Sequence, residues 1–283
     1  MHYNTLILSI VTFIYGLAAV LYVFSWVFRK ESPGKVATGV TLAGCIGNAT
    51  GLILRWYESY QLGSGYGHAP LSNIYESLTF FALTISIIYL VVERRYQNRG
   101  IGVFALPLAF FALAYASFGT SDQIQPLIPA LKSNWLIAHV ITCFIGYAAF
   151  GLAFGISIMY LFQSSRTQVP KSGVQSRIPD SSMLDELTHQ LIMFGFLFLT
   201  VGIISGAVWA NSAWGRYWGW DPKETWSFIT WLIYAAVLHF RMMRGWRGKR
   251  IAVLSIIGFA AVLFTYFGVN LLPGLHSYGA LKG

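Results

Sequence analysis

Charge is what this sequence lacks. Only 10% of its 283 residues are Asp, Glu, Lys or Arg, and 56% are hydrophobic; an average soluble protein carries about 25% charged residues. This excludes an ordinary soluble domain. It also excludes a nucleic-acid-binding surface as the meaning of the net charge of +9, because the cations are accounted for by their placement below. Cysteine is nearly missing as well. Cys45 and Cys143 stand far apart inside apolar runs, with no CxxC and no CxxCH, so neither a redox pair nor a covalent haem attachment is signalled, and both read as small buried residues. There is no Walker or dinucleotide loop, no HExxH and no nucleophile elbow, and no internal repeat. No basic residue precedes the first apolar run, and Arg29 and Lys30 follow it, which argues for a first membrane helix and against a cleaved signal peptide.

What is present is a series of apolar runs long enough to span a bilayer, at about 5–28, 36–56, 73–92, 101–118, 134–162, 188–210, 224–243 and 251–272. The expectation is an all-α polytopic bundle of about eight transmembrane helices, the fourth being short and interrupted by Pro107. Of the 19 basic residues, 14 fall in the connections after the first, third, fifth and seventh runs. By the positive-inside rule those connections face the cytoplasm, which puts both termini and the segment between the sixth and seventh runs outside. Residues 163–187 are rich in Ser, Pro and basic side chains and read as a cytoplasmic linker. It divides a five-helix part, 1–162, from a three-helix part, 188–283. Ser182 with Asp185 offers a cap for the sixth helix.

The most distinctive stretch is Trp214–Trp226, WGRYWGWDPKETW, with four tryptophans in thirteen residues. Its aromatics have no helical period, and Gly215 and Gly219 oppose a helix, so 208–226 reads as an external loop. One reading is an interfacial aromatic belt; the other is a flat aromatic shelf for a large planar ligand. Asp221, Pro222 and Glu224 together spell a capping box at the start of the seventh helix.

Six histidines complete the inventory. His2, His68 and His189 lie at the terminus, in a loop and at a polar helix entry, where solvated or capping roles are the default. His139, in NWLIAHV, is expected roughly 7 Å below the outer end of its run. His276, in LLPGLHSYG, follows the last run on the same side. Two imidazoles beside an aromatic wall could serve a bis-histidine haem site, although each histidine alone reads as an interfacial hydrogen-bonding residue. His239, in VLHFR, lies thirteen residues beyond Trp226, about 20 Å deeper, and an ionisable group within a membrane helix marks a candidate site.

WGRYWGWDPKETW resembles the WWD signature of haem-handling proteins. Together with PLSNIYESL at 70–78, WLIAHV, LHFR and LHSYG, the layout resembles the family of CcsA (ResC) subunits of the System II cytochrome c synthase, from about Pro70 onward. The resemblance implies a protein of the bacterial cytoplasmic or thylakoid membrane. It would carry haem b outward and present it for thioether attachment to the CxxCH of apocytochrome c, in complex with a second membrane subunit, CcsB (ResB). It implies that His139 and His276 are axial ligands of an outer haem flanked by Trp214, Trp218, Trp220, Asp221 and Trp226. It also implies that His239 ligates an inner haem with a partner histidine. No residue reads as a nucleophile, so the catalytic contribution is positioning. Arg216 and Lys223 are candidates for the haem propionates or for plain solvated charges. The alternatives are a haem exporter or chaperone without synthase activity, and a b-type electron-transfer cytochrome. A transporter of another kind would need broken helices and midplane charges that the sequence does not display.

Overall fold

The computed structural model describes residues 3–63, 65–164 and 179–274. His2, most of the 163–187 linker and His276 therefore lie outside the described residues. Among the described residues there are eight α-helices and no strand. Seven are long and apolar enough to cross a membrane. The exception is the seventh, which carries Lys223, Glu224, Arg241 and Arg244.

The chain forms two compact units that divide after Lys132. The first contains α1 (Tyr3–Phe28), α2 (Glu31–Gln61), α3 (Ile74–Tyr96) and α4 (Gly102–Gly119). There α1 packs on α2 and α4, and α3 packs on α2 and α4. Pro107 is absorbed within α4, so the fourth run is helical despite its missing N–H. Asn73 caps α3 by accepting from the Glu76 N–H at 2.9 Å.

This unit buries charges that the sequence reading did not anticipate. Arg55 and Glu76 are each 1% exposed, and Arg55 Nε donates to Glu76 Oε1 at 2.8 Å. The other side of the guanidinium donates to the Asp122 carbonyl at 2.7 Å, while Glu76 Oε2 accepts from the Ser72 N–H and hydroxyl, both at 2.8 Å. His68, expected in a solvated loop, is instead 6% exposed. Its Nδ1 donates to the Tyr66 carbonyl at 2.6 Å, and its Nε2 lies 3.0 Å from Ser72 Oγ. Polar satisfaction supplies the reason: a loop histidine is drawn inward where a buried carboxylate and its hydroxyl partner need company. At the other end of α3, Glu93 accepts from the hydroxyls of Tyr22, Tyr89 and Thr38 at 2.6–2.8 Å.

The second unit contains α5 (Asn134–Ser164), α6 (Ser181–Trp214), α7 (Pro222–Arg244) and α8 (Lys249–Tyr266). Here α5 packs on α6 and α8, and α7 on α6 and α8. The α5–α6 seam is very close. A Cβ on Gly146 would stand 3.0 Å from the Gly195 carbonyl oxygen, and one on Gly202 would meet Cys143 Sγ and main chain. Small residues let two helix backbones approach in this way.

Boundaries differ from expectation at α2, which runs Glu31–Gln61 against 36–56, at α8, which ends at Tyr266 against 272, and at both ends of α6. Helix α6 begins at Ser181, preceded by Asp180, whose side chain does not cap it, so the Ser182–Asp185 cap is not made. Asp185 is engaged elsewhere: it accepts from Arg241 at 2.7 Å and from the Gly248 N–H at 2.7 Å. At its other end α6 continues through Trp214, and Gly215 stops it in the left-handed region at φ 74°, where only glycine is unstrained. The tryptophan loop is thus 215–221, much shorter than 208–226, because AVWANSAW holds no helix breaker.

Candidate functional site

Helix α7 starts as its sequence predicts. Asp221 caps it, accepting from the Lys223 N–H at 2.9 Å, with Pro222 in the first turn. Glu224 reaches back and accepts from the Asp221 N–H at 3.2 Å and from the Gly219 N–H at 2.7 Å. One carboxylate therefore gathers three consecutive loop residues onto the end of a helix. Trp220, between those two N–H groups, is held at φ 56° and left 68% exposed.

Under this loop lies a notch of about 60 Å³ whose lining includes His139, Cys143, Tyr147, Trp209, Trp218 and Lys223. His139 is set from both sides. Its Nδ1 lies 2.7 Å from the Gly202 carbonyl oxygen. A carbonyl can only accept, so Nδ1 carries the proton and the neutral ring keeps its electron pair on Nε2. The ring stacks on Trp209, with centroids 6.0 Å apart and planes at 14°. Gly206 makes this possible, since a Cβ there would come within 2.6–2.7 Å of the imidazole. Cys143 Sγ is 3.6 Å from Nδ1, but a nitrogen that already holds a proton is no base for that thiol. Among the described residues no group of three or more His, Cys, Asp or Glu converges as a metal cluster.

The four tryptophans do not form one flat shelf. Trp214 packs edge-on to Trp209 at 4.9 Å, and Trp218 lines the notch with its ring perpendicular to Trp220 at 5.8 Å. Trp226, the fifth residue of α7, does not line the notch and packs on Phe264 at 4.2 Å. Its carbonyl accepts from Thr230 at 2.8 Å and Thr265 at 3.2 Å. The left-handed backbone at Trp220 and the helical phase of Trp226 explain the divergence.

His139 and Trp218 are thus brought together, Trp214 reaches them through Trp209, and Asp221 acts through the loop. The last described residue is Gly274, where a Cβ would meet Asp221 Oδ2 and Pro222, whereas His276 lies outside the described residues. His239 sits far down α7, on an exposed face and apart from the notch. Arg216 is exposed, while Lys223 is half-buried in the lining. Sequence reading did not single out Trp209, Tyr147 or Glu224's hold on Gly219, and it assigned Cys143 only to the core. The four-residue step from His139 to Cys143 and the GxxxG at 202–206 were the available signals.

This geometry defines a helical integral membrane protein with a histidine set beneath a capped tryptophan loop. Residues 71–276 match the cytochrome C assembly protein family. Similar chains include the cytochrome c biogenesis protein CcsA of Synechococcus sp. (strain CC9902), 41% identical over 298 residues, covering 96% of this chain and 95% of that one. The protein of the same name from Parasynechococcus marenigrum (strain WH8102) is 39% identical over 297 residues, covering 96% and 95%. That of Mesostigma viride is 42% identical over 253 residues, covering 81% of each. Among solved structures, a chain titled "Cytochrome c Heme Lyase CcmF" superposes with a TM-score of 0.67 at 16% identity. The match covers 95% of this chain and 49% of that one, so this chain spans about half its length and the likeness concerns the fold. The chain belongs to the cytochrome c assembly protein family, and its role lies in cytochrome c maturation.

Proposed function

We propose that the chain holds haem b as a substrate over the notch beneath the tryptophan loop, on the outer side of the membrane, and presents it for thioether formation with apocytochrome c. The observation that carries this is the His139–Gly202 bond, which fixes the tautomer whose Nε2 can ligate iron. A notch of about 60 Å³ cannot enclose a porphyrin. The macrocycle would therefore lie across its mouth, with His139 and His276 as the residues that would hold its iron. Trp218 and Trp214 provide apolar contact, Asp221 holds the loop in shape, and Lys223 offers a charge to a propionate. Trp220, exposed at the loop's tip, is suited to the outer edge of the ring. Trp226 contributes by fixing α7 against α8.

In the synthase reaction each cysteine S–H adds across a haem vinyl C=C: sulfur bonds to the carbon next to the ring and a proton goes to the terminal carbon. The sum is an addition, with no leaving group and no external oxidant or reductant. This chain's residues orient the haem and exclude water; none serves as nucleophile. His239, exposed on α7, is read as a ligand for an inner haem, completed by a histidine of a CcsB-type partner. The test is the visible spectrum of the chain purified with its partner, followed by incubation with an apocytochrome CxxCH peptide. Low-spin six-coordinate haem and a product that keeps its haem after acid extraction support the synthase. Haem that binds without forming that product supports an exporter. No bound haem in the wild-type complex removes the reading altogether.

A further inference from the structure

The α1–α2 and α3–α4 connections lie at the same end of the first unit, and a cavity of about 400 Å³ opens between them, lined by none of the residues of the tryptophan-loop site. Trp26, Arg29, Lys30, Glu31 and Arg99 are among the residues lining it, three cations to one carboxylate. Glu31 faces Lys35 at 3.8 Å, with both side chains exposed. Arg99 is anchored at the cavity edge through its inner nitrogen, which is 3.2 Å from Glu93 Oε1 and 3.4 Å from Thr38 Oγ1. The α1–α2 turn is itself constrained. Ser25 Oγ donates to the Lys30 carbonyl at 2.7 Å, and Arg29 is held at φ 56°, a region that a residue with a side chain occupies only where its surroundings impose it. The last turn of α1 exposes Phe24, Val27 and Phe28 beside this turn.

A roomy polar cavity ringed by cations, at the end of a membrane bundle and next to an exposed apolar helix face, has the chemistry of a lipid headgroup site. We propose that it binds a phosphate group, with the phosphodiester of an anionic phospholipid as the intended source and acyl chains running along the apolar end of α1. A phosphate uses about a tenth of such a volume by its own size, on the scale of one or two waters at ~30 Å³ each, which leaves space for a glycerol moiety against Trp26.

Arg94 and Arg95 supply the control. They are exposed at the end of α3 but do not line the cavity, so Arg94→Gln with Arg95→Gln removes the same charge as Arg29→Gln with Lys30→Gln and spares the site. The experiment measures the thermal midpoint of the full chain, delipidated in detergent, with phosphatidylcholine, with phosphatidylglycerol, or with inorganic phosphate. Phosphatidylglycerol is expected to raise the midpoint by roughly 2–4 °C over phosphatidylcholine. That rise should appear in the wild type and the Arg94/Arg95 control and be lost in the Arg29/Lys30 variant. If inorganic phosphate alone gives the rise with the same dependence on the variants, the site stands and its source is a soluble phosphate. Equal loss in both double variants means only the diffuse charge of this end is felt, and the proposal falls. It falls equally if neither phosphatidylglycerol nor phosphate stabilises the wild type.

Discussion

At His139 one main-chain oxygen decides what the side chain can do. With Nδ1–H committed to Gly202, the ring presents Nε2, and His139→Ala is expected to convert bound low-spin haem to a five-coordinate or high-spin spectrum. Added imidazole should restore ligation, because it fills the vacated axial position; an unchanged spectrum in this variant would move the ligand elsewhere. Gly206→Ala should give a milder form of the same defect, a mixed-spin spectrum, since its Cβ intrudes within 2.6–2.7 Å of the ring. Overpacking of this kind costs about 1–3 kcal/mol. A second residue-scale test concerns Arg55. Glu76→Ala leaves its guanidinium 1% exposed without its carboxylate, and breaking a buried pair in this way costs about 3–5 kcal/mol, read as a lowered unfolding midpoint. Replacing both partners with Met and Leu should recover most of that loss. YGHAP alone could not foretell the burial of His68, because it rests on Ser72 and Glu76, which the start of α3 brings back beside it.

Among the elements, the loop 215–221 is short and hung from one end of α7. Glu224→Ala removes the acceptor for two loop N–H groups and should cost about 1 kcal/mol, as lost caps do. Its signature is faster hydrogen exchange at Gly219 and Asp221, together with lower haem occupancy, while exchange along α5 stays as it was. The start of α7 was fully legible in Asp221, Pro222 and Glu224, since a capping box is written in adjacent residues. The ends of α6 were not. At its N-terminus the expected capping acid, Asp185, is paired with Arg241, 56 positions away, and its C-terminus falls where the first glycine follows a permissive run. The orientation of each tryptophan was equally hidden, because an aromatic cluster in sequence does not reveal the backbone angle at Trp220.

For the whole molecule, the runs of apolar residues predict the eight helices seen among the described residues, because each crossing needs an apolar length of about 20 residues; α2, α5 and α6, at 31, 31 and 34 residues, run beyond it. Which helices pack together is not in that pattern: α5 joins α6 through a glycine seam that hydropathy does not register. The charge pattern makes a topological prediction. Reporter fusions at Gly100 and Gly245, in basic connections, should read cytoplasmic, and a fusion at Gly65 should read external; agreement between Gly65 and Gly100 would undo the orientation. If haem enters from the cytoplasmic side, His239→Ala should reduce haem at both depths and impair cytochrome c maturation, with partial rescue by imidazole. Normal haem content and normal maturation in the complex with its partner would leave His239 a residue of the helix surface.

The tight contact of α5 with α6 has a consequence for turnover. A side chain held by the Gly202 oxygen and Trp209, with Gly206 close behind it, has little room to swing, so in the proposed complex His139 would work as a fixed hinge pin. In that complex, departure of the finished cytochrome would begin on the opposite side, where a ligand could be exchanged for one that the product brings with it. Such a protein would let go of its cargo in a set order, with the bond to His139 the last to part.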